Sequence, residues 1–261
     1  MNFENIKIDV PRNILITANI LAFLIALSIN ILSNALPLNN KTAGQISDSL
    51  YNYFAPAGYV FAIWFVIYIG WLLFIYYISF SKEGEIFLEK ANIWLIVNLL
   101  LNGSWLIFWH YGEYLISVLT MLGIFFTLLI LYERLEIGKK EFSRKNLIFI
   151  QIPISIYFGW ITVATIANIT SYLVSLNITF GDLDVYLTVS VIFVGTLITL
   201  LVLFLKHDFY FSLVPIWAFF GIYVKQSGNL PIYSMTVALT GLICAVIILL
   251  LIIYKVVKPT T

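Results

Sequence analysis

The sequence predicts an all-α integral membrane protein with eight transmembrane spans and both termini in the cytoplasm. The first observation is composition: 62% of the residues are hydrophobic and 10% are charged, and the mean hydropathy is +1.00. This composition excludes an ordinary soluble domain. The second observation is a series of continuous apolar runs of helix length, which lack the alternation of a β-barrel. The third is the distribution of lysine and arginine between alternate loops.

Eight apolar runs are interpreted as helical spans. A span needs about 17–25 residues, and the run 209–224 is the shortest of the eight. A polar, acidic stretch at 177–184 divides the chain into a five-helix transmembrane core, residues 1–176, and a three-helix transmembrane extension, residues 177–261. The predicted spans are 13–32, 56–78, 91–109, 114–132, 147–173, 186–205, 209–224 and 231–254.

The basic residues favour eight spans over seven. With eight spans, twelve lysines and arginines lie on the N-terminal face, and only Lys41 and Lys225 lie on the opposite face. With seven spans the ratio falls to eleven against three, because Lys225 moves inside while Lys255 and Lys258 move outside. Cytoplasmic loops carry the excess of positive charge, so we expect a multi-pass protein of the cell membrane with both termini inside.

Ionisable residues are missing from the predicted spans. All thirteen aspartates and glutamates fall in loops or at helix ends, which disfavours proton pumps and voltage sensors and leaves no carboxylate pair for acid–base catalysis. Cys244 is the single cysteine, and His110 and His207 are predicted on opposite faces. We therefore expect no catalytic residues, no metal site, no cofactor and no enzymatic activity. A net charge of +1 gives no indication of a nucleic-acid partner.

The fifth predicted span carries a polar stripe. Trp160, Ala164 and Asn168 recur at i, i+4 and i+8, so they lie on one side of a helix. An amide facing lipid would leave its polar atoms unpaired at a cost of several kcal/mol. We therefore expect this side to face the interior of the bundle. It would serve either close helix packing with an asparagine bridge or a pocket for an apolar ligand.

Two other spans carry similar stripes. The third span has polar and aromatic residues in steps of four, three and four: Asn98, Asn102, Trp105 and Trp109. The second span has Trp64, Tyr68 and Trp71 in steps of four and three. One stripe alone is typical of packing, whereas three together favour a pocket. The predicted ligand-binding residues are Trp64, Tyr68, Asn98, Asn102, Trp105, Trp160, Ala164 and Asn168.

The three stripes resemble the tryptophan-rich sensory protein (TspO) family, whose eukaryotic members are called translocator proteins or peripheral benzodiazepine receptors. That family carries Pro-x-Trp-x-x-x-Tyr in its second helix, an amide before Asn-x-x-Trp in its third, and Trp-x-x-x-Ala-x-x-x-Asn in its fifth. Ala62 stands at the proline position before Trp64 and Tyr68. The other two elements are matched by Asn98, Asn102, Trp105 and Phe108, and by Trp160, Ala164 and Asn168.

The resemblance covers roughly residues 14–176 and is that of a divergent member with a C-terminal three-helix extension. It implies a five-helix bundle whose cavity binds porphyrins, sterols or synthetic aromatic ligands, and it implies a homodimer. Ile156 replaces the proline expected four residues before Trp160, and a glycine pair usual in the first helix is absent. These differences concern the choice of ligand more than the fold.

The leading hypothesis is a non-enzymatic membrane receptor or carrier for a flat hydrophobic ligand, with a tetrapyrrole (porphyrin) favoured over a sterol or other lipid. The alternative is a transporter for a small hydrophobic substrate, in which the extension forms part of the path. The expected partners are the ligand, the lipid bilayer and a second copy of the chain. The site is predicted between the second, third and fifth spans toward the external half. The loop 33–55 would be either its lid or a solvated connector.

Overall fold

The computed structural model describes residues 10–35, 38–228 and 233–258. Within these ranges the chain is helical and contains no strand. The helices are α1 Arg12–Ala35, α2 Ala43–Ser49, α3 Ile63–Phe80, α4 Glu85–His110, α5 Tyr114–Arg134, the single turn α6 Arg144–Asn146, α7 Ile152–Ser175, α8 Leu183–Leu205, α9 Phe209–Gln226 and α10 Met235–Val257. The all-α prediction is confirmed.

The third span starts earlier than predicted, and the fifth span starts at the predicted residue 147 but not as a regular α-helix. The third span was expected from residue 91, but α4 begins at Glu85 and contains a break at Asn92, whose φ of 46° is tolerated by asparagine better than by most residues. The fifth span begins with a π-helical turn, Leu147–Gln151, ahead of α7. Pro153 follows this turn and has no N–H for the carbonyl of Phe149, so a regular α-helix cannot continue through it.

Seven of the helices in the described ranges are long and apolar enough to cross a membrane, and α9 is the long helix left out. It has 18 residues, contains Pro215 and ends in Lys225 and Gln226. Its length of about 27 Å is nevertheless close to a hydrocarbon core of about 30 Å. Asp208 at its start contacts α5 and α7, and Gln226 at its end contacts the loop after α2. By position, α9 therefore extends between the two ends of the bundle, as the eight-span prediction requires.

The charged groups identify one face of the bundle. Arg12 at the start of α1 pairs with Glu85, and Lys206 at the end of α8 pairs with Glu133. Lys255, near the end of α10, lies 3.0 Å from Nδ1 of His207. The start of α1 and the end of α10 thus lie on the same face. That this face is cytoplasmic stays a prediction from the positive-inside rule.

The buried apolar side chains form two clusters. The first is built from α1, α3, α4, α5 and α7, and the second from α8, α9 and α10 with Phe54 and Val163. Phe211 and Val214 of α9 belong to the first cluster, so α9 is shared by both. Gly159 of α7 makes this possible, since a Cβ there would lie 2.8 Å from the carbonyl oxygen of Phe211. The division at residue 176 stays a prediction, and α9 packs directly on α7.

Candidate ligand site in the tryptophan cluster

Three indoles meet where α3, α4 and α7 converge. Trp64 stacks on Trp105 with ring centroids 5.6 Å apart and planes at 28°. Trp160 approaches Trp64 edge-on at 6.2 Å, with planes at 84°. All three side chains are buried. Offset stacking and edge-to-face contact are the favoured arrangements for aromatic rings, so this tryptophan cluster is a well-packed core as it stands.

Asn102 lies beside the tryptophan cluster and joins two tyrosines. Its Oδ1 accepts a hydrogen bond of 2.6 Å from the hydroxyl of Tyr68 on α3, and its Nδ2 donates to the hydroxyl of Tyr157 on α7 at 2.9 Å. Tyr157 is fully buried and contacts Trp64 edge-on at 6.0 Å. The amide therefore bridges three helices, as the cost of an unpaired amide in hydrocarbon requires.

Asn168 forms a second bridge, on the side of the cluster that lies away from the charged face. Its Oδ1 accepts a hydrogen bond of 3.1 Å from Nε1 of Trp105 on α4. Its Nδ2 lies 2.8 Å from the hydroxyl of Ser117 on α5. The amide is buried, so the stripe predicted on the fifth span does face the interior of the bundle.

A small cavity of about 30 Å³ adjoins this bridge. That volume is enough for about two water molecules. Trp105, Trp109 and Trp160 form much of its wall, and Ala164 and Asn168 complete the face contributed by α7. The described lining is apolar, indole, amide and hydroxyl in character and includes no ionisable side chain.

Two indole nitrogens in the cluster lack acceptors. Nε1 of Trp64 and Nε1 of Trp160 are buried and have no hydrogen-bond partner among the described residues. By contrast, Nε1 of Trp105 donates to Asn168, and Nε1 of Trp109 donates to the carbonyl oxygen of Ala43 at 3.2 Å. A buried donor without an acceptor costs about 1–3 kcal/mol, so these two N–H groups are available to a bound acceptor.

The loop before α3 covers the cavity. Its helix α2 starts with a capping box, in which Thr42 and Gln45 exchange side-chain and backbone hydrogen bonds. Ser47 of α2 lines the cavity, and Ala43 of α2 receives the hydrogen bond from Trp109. The predicted lid position is therefore occupied by a short helix.

The family model described as TSPO-like protein matches residues 15–254. The chain belongs to this family. No curated protein and no solved structure matches it. The matched residues run through α8 and α9 and into α10, so the TSPO-like match continues beyond the five helices on which the motif resemblance rests.

In this TSPO-like chain the helix α2, which is called the lid only for its position over the cavity, is attached to α9. Nζ of Lys225 lies 2.8 Å from Oδ1 of Asp48 on α2. Gln226 donates to the carbonyl oxygen of Tyr53 at 3.1 Å and accepts from the hydroxyl of Tyr51 at 3.4 Å. Burial raises the pKa of Tyr51 to about 12, so this hydroxyl stays a donor at neutral pH. The helix that sequence analysis placed in the extension thus contacts the cover of the cavity.

A wider groove lies on the other side of the cluster. It has a volume of about 630 Å³ between α1 and α3, and its polar lining includes Asn30, Asn34 and Tyr68. Trp64 lines this groove, and Phe61 lines both the groove and the small cavity. Phe61 also contacts Trp160 edge-on at 5.9 Å. The side chains of Phe61 and Trp64 therefore separate the cavity from the groove.

Most of the predicted site residues come together. Trp64, Tyr68, Asn102, Trp105, Trp160, Ala164 and Asn168 all lie in the cluster or line the cavity and groove beside it. Asn98 lies apart, because its amide donates to the carbonyl oxygen of Ile124 and to Thr127 on α5. These contacts are those of a helix bridge, which was the alternative interpretation of such amides, and ligand binding by Asn98 stays a prediction.

Sequence reasoning missed Tyr157, Ser117 and Phe61. Tyr157 had a signal, since it lies three residues before Trp160 and extends the same helical stripe. Ser117 had none, because a single serine in an apolar helix commonly bonds to its own backbone. Phe61 precedes the predicted motif, and its position follows from the 3₁₀ turn Gly58–Ala62.

Proposed function

We propose that this TSPO-like membrane protein is a receptor or carrier that binds a flat hydrophobic ligand between α3, α4 and α7, with a tetrapyrrole ahead of a sterol or other lipid. The observation that supports the proposal most is the pair of unpaired indole N–H groups of Trp64 and Trp160. They lie in a cluster where the amides of Asn102 and Asn168 are hydrogen-bonded. A ligand with an aromatic body and an acceptor edge would satisfy both N–H groups.

Binding requires the cluster to open. Ligand sites commonly measure about 300–1,000 Å³, against about 30 Å³ for the cavity next to Trp160. A planar ring inserted between Trp64 and Trp105 needs indole planes about 7 Å apart, twice the favourable carbon–carbon separation. We therefore propose that the stack separates and that α2 moves away as the ligand enters. The ligand then replaces the single contact between the two indoles with two contacts of the same kind, one on each face of its ring.

The groove between α1 and α3 supports entry from the bilayer. Its volume of about 630 Å³ is within the range of ligand sites. Rotation of Phe61 would join the groove to the cavity, because that side chain lines both. The groove also favours the second candidate, a transporter of a small hydrophobic substrate. Flux of protoporphyrin IX across proteoliposomes distinguishes the two, since a receptor binds it without net transfer.

The test is a binding titration with protoporphyrin IX, followed by porphyrin absorbance in detergent. Trp160→Leu keeps apolar bulk but removes the indole face and its N–H, so the affinity is expected to fall about tenfold. Trp94→Leu is the matched control, because Trp94 lies on α4 about three turns from Trp105 toward the opposite face. It is expected to bind as the unaltered protein does.

A second control distinguishes a ligand site in the tryptophan cluster from a ligand site at α9. Trp217 of α9 is partly exposed and donates to the carbonyl oxygen of Val60 at 3.1 Å. Trp217→Leu is expected to retain porphyrin affinity. A loss of affinity in Trp217→Leu together with retained affinity in Trp160→Leu would move the site to α9 and refute the assignment to the tryptophan cluster.

A further inference from the structure

A polar recess of about 650 Å³ lies on the opposite face from the lid, where three segments meet. These are the loop between α5 and α6, the turn between α8 and α9, and the end of α10. Nitrogen donors from all three segments and from the π-helical turn before α7 line it: Lys139, Lys140, Lys206, His207, Lys255 and Gln151. Neither the tryptophan cluster nor its lid uses any of these residues.

The recess carries more positive than negative charge. Glu133 pairs with both Lys139 and Lys206, and Glu136 pairs with both Lys90 and Lys140. Each carboxylate is thus shared by two ammonium groups. Hydrogen bonds from Lys140 and Lys90 lower the pKa of Glu136 to about 2, so it stays ionised. The described lining contains four lysines and one glutamate, Glu141, and the ion pairs beside it add Lys90, Glu133 and Glu136, so five lysines stand against three glutamates.

Within this recess the ammonium group of Lys255 contacts neutral groups. Its Nζ lies 3.1 Å from the carbonyl oxygen of Leu203 and 3.0 Å from Nδ1 of His207. No carboxylate of the described residues forms an ion pair with it. An ammonium group can only donate, so Nδ1 accepts and the neutral imidazole carries its proton on Nε2. Lys255 and His207 therefore present a full charge and a neighbouring N–H donor to an incoming anion.

The backbone holds these donors in a fixed arrangement. Gly138 has a φ of +73°, and a Cβ there would lie 2.5 Å from the carbonyl oxygen of Lys206. Glycine alone allows the α5–α6 loop to sit this close to the α8–α9 turn. Beside the recess the ends of α8 and α10 expose Leu205 and Val257. Exposed apolar residues at the ends of spans mark the boundary between acyl chains and headgroups.

We propose that this recess binds the phosphate of an anionic phospholipid headgroup. Basic pockets between helices at the cytoplasmic side are suited to such headgroups. The phosphate would accept from Lys255 and from the Nε2–H of His207, with Lys140 and Lys206 neutralising its charge. The acyl chains would lie along the apolar ends of α8 and α10. The bound lipid would link the α5–α6 loop to the last three helices.

The experiment measures lipid enrichment. The full-length protein is reconstituted in nanodiscs of equal phosphatidylglycerol and phosphatidylcholine, extracted in mild detergent, and analysed for retained lipid by mass spectrometry. Phosphatidylglycerol is expected to be enriched, and Lys255→Gln is expected to lower that enrichment about fivefold. Lys82→Gln is the matched control, because it removes one lysine from a loop of the same face outside the recess. It is expected to leave the enrichment unchanged.

Each remaining outcome counts for or against the lipid site. Equal loss in Lys82→Gln and Lys255→Gln would show a general charge effect and overturn the proposal, as would the absence of any enrichment. Full displacement of the lipid by excess inorganic phosphate would assign the recess to a free anion instead. If Lys255→Gln fails to fold, Lys140→Gln at the more exposed rim takes its place. Unchanged enrichment in that variant would likewise overturn the proposal.

Discussion

The buried amides of Asn98, Asn102 and Asn168 reach across to other helices, whereas the buried threonines of α8 bond to their own helix. Asn102 and Asn168 bridge α4 or α7 to neighbours in the bundle. Thr196 and Thr199 of α8 donate to carbonyl oxygens four residues earlier. An interhelical bond constrains how two helices pack, and an intrahelical bond does not. The first region is therefore specified by polar contacts and the second by apolar packing.

The tryptophans follow the same division. Six of the seven tryptophans precede α8 in the sequence, and the seventh, Trp217, is partly exposed. The helix α9 is the exception within the last three. Asp208 at its start and Gln226 at its end both bond to groups outside the last three helices. The helix α9 therefore connects the two regions, through the lid on one face and through Asp208 on the other.

Gly159→Ala tests the seam between α7 and α9 and is expected to have the largest effect. The added Cβ would lie 2.8 Å from the carbonyl oxygen of Phe211 and 3.0 Å from Cβ of Val214. Neither atom can rotate away, so the free energy of unfolding is expected to fall by about 2–3 kcal/mol. Unfolding by SDS in mixed micelles measures it.

Gly123→Ala is the control for that substitution. Its Cβ would meet a terminal methyl of Leu101, the flexible end of a side chain, at 3.0 Å. Both glycines are inside helices, so both variants gain the same helix propensity. Gly123→Ala is expected to be neutral or slightly stabilising. Equal destabilisation of the two variants would contradict a close contact of α7 with α9.

The variants Asn102→Leu and Thr199→Val together compare an interhelical polar group with an intrahelical one. Asn102→Leu leaves the hydroxyl of Tyr157 buried without its donor partner, while Tyr68 keeps a 3.4 Å contact to the carbonyl oxygen of Ala26. The free energy of unfolding is expected to fall by about 2 kcal/mol. Thr199→Val, which removes a bond within α8, is expected to change it by less than about 0.5 kcal/mol. A larger effect for Thr199→Val in the same titration would refute the contrast between the regions.

Asp208→Asn tests the second contact of α9. The carboxylate is fully buried and accepts from the hydroxyls of Ser155 at 2.6 Å and Tyr132 at 2.8 Å. Burial raises its pKa above the ordinary 3.8. The folded protein therefore binds this proton more tightly than the unfolded chain, and stability from this group is lost as pH rises from about 4 through the raised pKa.

The asparagine variant removes this dependence and can still cap α9. Between pH 4 and pH 7 its unfolding free energy is expected to fall less than that of the unaltered protein, because it lacks the group with the raised pKa. Asp208→Ala loses the cap and is expected to be less stable at every pH by about 1 kcal/mol. Identical pH profiles for the unaltered protein and Asp208→Asn would show that this carboxylate does not titrate in the window.

Lys225→Met is expected to have the smallest effect, because an ion pair with half-exposed Asp48 contributes about 0.5 kcal/mol. Its loss loosens the lid, so the association rate of protoporphyrin IX is expected to rise about twofold. Stopped-flow absorbance measures this rate. Lys41→Met removes a lysine from the same connection outside the ion pair, and its association rate should match that of the unaltered protein. A higher association rate in Lys41→Met but not in Lys225→Met would show that the movement of the lid does not depend on its ion pair with α9.

Much of the site could be predicted from helical periodicity. Trp160, Ala164 and Asn168 had to share a face, and the amide had to point inward, because hydrocarbon offers it no partner. The same rule applies equally to Asn98, yet that amide bridges α4 to α5 away from the tryptophan cluster. The rule predicts burial, and the partner depends on which helix lies opposite. Ser117 and Phe61 could not be predicted for that reason.

By itself, the sequence determined the number and class of the long helices, the face on which charged residues collect, and the inward direction of the polar stripes. Composition and a period of 3.6 residues suffice for these properties, because they are local to each helix. Only the tertiary structure decided that Asp208, a loop residue, is buried between three helices. It also decided that the indoles fill their own site and that α9 holds the lid. These properties depend on side-chain rotamers and on contacts between residues that are far apart in the sequence, which no local pattern encodes.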